Sequence, residues 1–247
     1  MAYLAKPSGD HCFQAVKHEG TPTGVTEEIG GIKCYVGYPP DKKTDKIVMF
    51  FCDVYGPWYL NNQLLIDFFA LRGYLVVAPD YFQGDQLEEL SKNPDFDRKK
   101  WIDAHVPSSQ SIVVNFTAAI KEKYGTKKVG CVGYCFGGQH VMKSLTKGDA
   151  IAGAFVHPAF IKEKDFEEMK QGAAFFSCAE TDGTFPAELR HKAEAIVQAN
   201  KLNYHFQLFS GVTHGFAIRG DPKDENQRWA KEQSAWGISG WIDRFLQ

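Results

Sequence analysis

A glycine-spaced turn at residues 130–138 restricts this chain more than any other stretch. Gly130-Cys131-Val132-Gly133-Tyr134-Cys135-Phe136-Gly137-Gly138 reads as the end of a buried strand, a sharp turn at Cys135, and the start of a helix. Gly133 and Gly137 stand two residues before and two after Cys135, where a side chain would press the turn against its neighbours. The pattern is that of a nucleophile elbow, G-x-[S/C]-x-G, in which a strained strand-to-helix turn lifts a reactive side chain above a parallel sheet. Five residues of this kind also arise by chance, so the reading depends on whether the rest of the chain builds such a sheet.

The apolar pattern does predict one. Residues 46–52 form a continuous apolar run, the mark of a parallel strand covered on both faces. Residues 61–71 follow with Leu64, Leu65, Phe68, Phe69 and Leu71 at helical spacing, and 75–78 make another buried strand. A strand–helix–strand unit of this kind implies a right-handed crossover and a parallel sheet. The alternation continues with a helix over 108–124, the elbow strand 128–134 and its helix 136–147. Strands then follow at 151–156, 173–179 and 204–209, with a helix over 186–199. A terminal helix over 224–246 is expected to break near Gly237, and residues 31–38 alternate well enough for one more strand. Residues 1–30, rich in Gly, Pro, Thr and charge, read as an extended surface segment. Residues 81–101 read as an irregular stretch holding a short helix or a cap over the sheet. The expectation is a single domain over 1–247 of the α/β class, a mostly parallel, doubly wound sheet of seven or eight strands with flanking helices.

Composition narrows the function classes. A net charge of −2 and a pI near 6.4 supply no polyanion-binding surface, so nucleic acid is not an expected partner. No run approaches the roughly 18 apolar residues of a membrane span, and the start lacks a basic segment followed by an apolar run. A cytoplasmic protein, monomer or homodimer, is the expectation. The six cysteines match no zinc spacing. Cys34, Cys52, Cys131 and Cys178 sit inside apolar runs and read as small buried residues, whereas Cys135 follows its run.

Ligands of open α/β sheets sit beyond the carboxyl ends of the strands, where Asp53, Asp80, Cys135, His157, Asp182 and His214 fall. Among them Cys135, Asp182 and His214 come in the order nucleophile, acid, histidine, which is the order of the α/β-hydrolase fold. Thiolate, not thiol, attacks a carbonyl. An imidazole can take that proton and return it to the leaving group, and an acid behind the ring fixes its tautomer. Those roles go to Cys135, His214 and Asp182. The backbone N–H groups of Phe136 and Val54 are the expected oxyanion donors. Each residue also has a plainer reading: Cys135 as core, Asp182 as a cap on the helix near Pro186, His157 as a structural residue beside Pro158, and Asp80 as a turn residue.

Gly133-Tyr134-Cys135-Phe136-Gly137-Gly138, Asp182 in Ala179-Glu180-Thr181-Asp182 and His214 in Thr213-His214-Gly215-Phe216 resemble the dienelactone hydrolase family, the carboxymethylenebutenolidases. Residues 17–24 and 214–221 resemble its fungal branch. The resemblance implies an α/β hydrolase without metal or cofactor, opening lactones and some esters through a thioester-linked intermediate. It also implies a carboxylate after the Cys52 strand that governs the thiol's ionisation. Bacterial members have Glu there and this chain has Asp53, one methylene shorter. Bacterial members hold a substrate carboxylate with arginines; here Ile218 stands four residues after the histidine, with Arg219 next to it, and Arg98 in the cap region is a second candidate. Tyr55, Trp58, Phe82, Tyr134 and Phe216 are expected to line an aromatic substrate pocket, with Trp101, Phe160 and Phe185 nearby. The leading expectation is a cysteine-dependent lactone or ester hydrolase. A thioesterase or product-releasing hydrolase of secondary metabolism, and a non-catalytic thiol redox or ligand sensor, are the alternatives.

Overall fold

The computed structural model describes residues 2–7, 16–90, 93, 95–125 and 128–247. The chain runs through β1 (Tyr3–Ala5), β2 (Val25–Ile29), β3 (Ile32–Gly37), β4 (Lys46–Phe51), α1 (Leu60–Leu71), β5 (Leu75–Pro79), α2 (Leu87–Leu90) and α3 (Arg98–Tyr124). It continues with β6 (Lys128–Tyr134), α4 (Gly138–Lys147), β7 (Ala152–Val156), β8 (Ile161–Lys162), α5 (Glu163–Glu168) and β9 (Ala173–Thr181). The last elements are α6 (Ala187–Ala199), β10 (Asn203–Thr213), α7 (Phe216–Arg219) and α8 (Glu225–Leu246). One eight-stranded sheet has the order β10-β9-β7-β6-β4-β5-β3-β2. β10 through β5 are parallel, and β3 and β2 run antiparallel at the far edge. This is the mostly parallel mixed sheet of an α/β-hydrolase fold. Among the described residues no helix is long and apolar enough to cross a membrane.

The apolar runs occupy the middle of the sheet because only there are both faces covered. Ile47, Val48, Met49, Phe50 and Phe51 of β4 are all fully buried. β6 shows how the cover is arranged. A Cβ on Gly130 would meet Ile242 and Leu246 of α8, while one on Gly133 would meet Val141 of α4. Strand residues three apart face opposite ways, so α8 and α4 lie on opposite faces of this strand. Gly137 adds a tighter constraint, since a Cβ there would run into the carbonyl of Phe51 at the end of β4. Gly137→Ala is therefore expected to destabilise the protein by about 2–3 kcal/mol, read as a lower urea midpoint. An unchanged midpoint would mean that the elbow does not depend on its approach to β4.

Several elements differ from the sequence expectation, each for a local reason. The segment expected along the surface over 1–30 supplies two strands. Leu4 and Ala5 of β1 are buried, and β1 pairs with β8; residues 8–15, Cys12 among them, lie outside the described residues. β2 was not expected because Val-Thr-Glu-Glu-Ile is an edge strand, mostly exposed. α3 starts ten residues before the expected helix and passes through Pro107. Proline forfeits one bond to the carbonyl four residues back, but Pro107 and Asp103 are exposed, so water can solvate the freed group. α8 does not break at Gly237; a Cβ there would press on Gln207 and Phe175 of the sheet, so the glycine admits close packing and the helix continues. β10 extends past Phe209 to Thr213 across an irregularity in its pairing with β9.

Candidate active site

Parallel strands end at one edge of the sheet, and that edge collects the chemistry. Asp53, Cys135, His157, Asp182 and His214 follow β4, β6, β7, β9 and β10. Cys135 has φ 48°, a left-handed conformation that a residue with a Cβ adopts only under strain. It opens a single tight turn, Cys135–Gly137, that leads into α4. Its carbonyl accepts from Ala159 N at 3.0 Å in the loop after β7, where the His157 ring lies 4.8 Å from that of His214.

The irregular end of β10 sets His214 beside Asp182. Phe209 pairs with Ala179 and Thr213 with Thr181, so β10 spends two extra residues, with Gly211 at φ 68°. His214 N then donates to Thr181 O at 3.1 Å, and His214 Nδ1 lies 3.0 Å from both carboxylate oxygens of Asp182. Asp182 Oδ1 also accepts from the backbone N–H groups of Thr184 and Phe185 at 2.8 and 3.0 Å. Asp182 does not cap the helix near Pro186, since α6 starts at Ala187 with Pro186 as its N-cap and no side-chain cap bond. Its Oδ1 instead holds the loop before that helix while the carboxylate faces His214. Burial pushes the Asp182 carboxyl up, but the His214 charge and these hydrogen bonds outweigh it and hold the group well below its ordinary value. The acid stays ionised through the pH range in which histidines ordinarily titrate.

His157, expected to be structural, lies directly against the His214 ring. It is fully buried with φ 35°, packs against Tyr134, His214 and Phe216, and neither ring nitrogen has a hydrogen-bond partner among the described residues. Burial, followed by the positive charges of His214 and Arg219, keeps it well below the ordinary histidine range, hence neutral. Asp80 does act in its turn, accepting from Phe82 N, Gly84 N, Trp58 Nε1 and Gln86 Nε2.

Asp53 is fully buried, and its carboxylate is engaged by Arg219. Arg219 Nη1 donates to Asp53 Oδ2, while Tyr55 N and Asn62 Nδ2 donate to Oδ1 at 3.2 and 3.0 Å. Arg219 gets there because α7 turns immediately after His214. Ile218 N and Arg219 N both donate to Gly215 O, Ile218 goes into the core, and the guanidinium folds back over Gly215. Gly215 has φ 94°, and a Cβ there would collide with Arg219 Nη2. Asn62 went unremarked in the sequence; only its position two residues into α1 places it under Asp53. Arg98 is exposed at the start of α3.

Val54 follows Asp53 in the loop after β4, and Phe136 N belongs to the elbow; the contact of Gly137 with the Phe51 carbonyl puts these two segments side by side. The aromatic residues divide into groups. Phe82 packs on Trp101, His105 and Phe136, forming the cap over the elbow. Tyr55 lies against Tyr59 and under the Arg219 guanidinium. Phe216 packs on His157 and Phe209. Trp58 is partly exposed and donates to Asp80. Tyr134 stacks on Phe50, 5.1 Å away, with its ring in the core.

Residues 32–244 match the sequence pattern of the dienelactone hydrolase family. The chain is 36% identical over 243 residues to Hydrolase pyvD of Aspergillus violaceofuscus, covering 98% of each protein. It is 36% identical over 252 residues to Dienlactone hydrolase 1 of Gibberella moniliformis, covering 98% of this chain and 96% of that one. A crystal structure of a dienelactone hydrolase from Anabaena variabilis superposes with a TM-score of 0.66 at 14% identity, over 93% of this chain and 100% of that one. A Klebsiella pneumoniae structure superposes with a TM-score of 0.75 at 12% identity, over 92% and 100%.

Proposed function

The chain belongs to the dienelactone hydrolase family, and from that premise we propose a cysteine-dependent hydrolase that opens a lactone or cleaves an ester through an acyl-Cys135 intermediate. One observation carries the reading: the Asp182–His214 pair, with Nδ1 at 3.0 Å from both carboxylate oxygens, stands on the same sheet edge as the strained turn of Cys135. With its proton held on Nδ1 by Asp182, His214 offers the Nε2 lone pair to the thiol. The thiolate attacks the carbonyl carbon, and Phe136 N–H and Val54 N–H receive the oxyanion. Collapse breaks the acyl C–O bond, and Nε2 returns the proton to the departing oxygen, which stays tethered when the substrate is a lactone. His214 then deprotonates water, water attacks the thioester, and Cys135 leaves as thiolate.

Asp53 and Arg219 supply the recognition step in this reading. A substrate carboxylate would compete with Asp53 for Arg219, and the displaced Asp53 would be left to act on the neighbouring site. Relatives named dienlactone hydrolase support a lactone ahead of a thioester, and a panel of enol-lactones, aryl esters and acyl-thioesters separates the classes.

The direct test is acid quenching within the first turnovers of an activated aryl ester, followed by peptide mass analysis. The acyl group is expected on Cys135, with a burst of phenolate equal to the enzyme present. Turnover with no adduct on Cys135, or with the adduct elsewhere, would falsify the covalent reading. Stoichiometric labelling without turnover would point to a thiol sensor.

A further inference from the structure

Thr184 stands two residues after Asp182, and its hydroxyl touches three different polar groups. Oγ1 lies 2.8 Å from Asp182 Oδ1, 3.0 Å from Pro158 O and 3.0 Å from His214 Nδ1. Thr184 is buried, so no solvent is at hand to satisfy what these groups leave unpaired. From this geometry we propose that Thr184 is a positioning residue for the reaction, a third oxygen at His214 Nδ1 that fixes the tautomer and the ring orientation of the histidine. The proposal rests on the reading of His214 as the proton-transfer group.

Counting protons gives the reason. A threonine hydroxyl has one proton to donate and lone pairs to accept with. Asp182 Oδ1 and Pro158 O can only accept. If His214 carries its proton on Nδ1, that N–H is shared among Asp182 Oδ1, Asp182 Oδ2 and Thr184 Oγ1, all at 3.0 Å. The hydroxyl proton is then free for Pro158 O, since Asp182 Oδ1 already accepts from Thr184 N and Phe185 N, and each group in the cluster has a partner. If the proton sits on Nε2 instead, the bare Nδ1 faces a carboxylate. One hydroxyl proton must then serve both Nδ1 and Pro158 O, while Nδ1 and the Asp182 carboxylate face each other with no proton between them. Buried acceptors facing one another without a proton are costly. The Nδ1–H tautomer is the one that leaves Nε2 free for the thiol, so Thr184 biases the histidine toward the working form.

The same hydroxyl has a second use when His214 becomes a cation. Asp182 Oδ1 already accepts from two backbone N–H groups, so it does not need the threonine proton. With Oγ1–H on Pro158 O, the oxygen lone pairs face the imidazolium, an arrangement that needs no movement of heavy atoms. Thr184 thereby links the turn after β7, where His157 and Pro158 stand, to the acid after β9 and the histidine after β10.

The test compares Thr184→Ser, which keeps Oγ, with Thr184→Ala, which lacks it. T184A is expected to lower kcat for an aryl ester by about tenfold or more with KM within about twofold, and T184S to recover most of that loss. In 15N-histidine spectra of the whole protein, assigned with a His214→Gln variant, the His214 Nδ1 proton is expected at low field in the wild type and T184S. It is expected to broaden by exchange in T184A. Should T184A fail to fold, T184V, which keeps the volume and loses the oxygen, takes its place with the same expectations. A hydroxyl-free variant that turns over like T184S, or that keeps the Nδ1 signal unchanged, overturns the proposal. Full activity in Cys135→Ala would sink the acyl-cysteine reading alone, because the spectroscopic comparison does not involve the thiol.

Discussion

Replacing Cys135 by Ala is expected to lower kcat by at least about 10⁴-fold while leaving the fold intact. The size follows from the role assigned to the thiolate, which forms and breaks a bond to the substrate in both half-reactions. The stability expectation follows from the backbone. Cys135 sits at φ 48°, and alanine meets the same steric cost there, so the strain is shared by both proteins and cancels in the comparison. Loss of one buried sulfur leaves a small void, a cost of about 1–2 kcal/mol by comparison with other single-group deletions, and thermal unfolding measures it. Cys135→Ser gives the finer control. It preserves the turn and a hydroxyl, but an alcohol is far harder to ionise than a thiol, so it is expected to fall between alanine and wild type. A Cys135→Ala protein that still hydrolysed aryl esters at the wild-type rate would remove the acyl-cysteine and leave the Asp182–His214 pair to be explained as a base acting on water directly.

The elbow, the buried strands and the order of Asp182 and His214 were legible because each is a local pattern. Continuous apolar runs report strands covered on both faces, and Gly133 and Gly137 report a turn with no room for side chains. What the sequence could not carry were features defined by pairs distant in the chain. Asp53 and Arg219 are 166 residues apart, and their contact depends on α7 reversing the chain over Gly215. The sequence singled out Arg219, next to Ile218, as a candidate partner for a substrate carboxylate, but not its pairing with Asp53, which exists because the turn buries Ile218 and folds the guanidinium back over Gly215. Thr184 is similar: as the second residue of Gly-Thr-Phe-Pro it reads as part of a loop, and its three partners come from three strand ends. β2 was missed for another reason. At the sheet edge only Ile29 of its five residues is buried, so the alternation that betrays a half-buried strand is absent.

Arg219→Met is expected to destabilise the protein by about 3–5 kcal/mol, because it leaves the Asp53 carboxylate buried with no counter-charge. Asp53 and Arg219 are both almost wholly out of water, so the attraction lost is not softened by solvent as it would be at the surface. Tyr55 N and Asn62 Nδ2 remain as donors to Oδ1, but Oδ2 loses the guanidinium. At about 2–4 °C per kcal/mol for a chain of this size, the thermal midpoint should drop by roughly 10 °C. The double variant Asp53→Asn with Arg219→Met removes both charges and is expected to recover most of that loss, since desolvation no longer has an ion to act on. Equal stability of the single variant and the wild type would show that the pair is not what holds α7 against the β4 loop. The same variants separate stability from recognition. If Arg219 exchanges Asp53 for a substrate carboxylate, the double variant, though refolded, should lose far more kcat/KM on a carboxylate-bearing enol-lactone than on a neutral aryl ester. Equal losses on the two substrates would confine Arg219 to holding Asp53, and recognition of the acid would have to come from another residue.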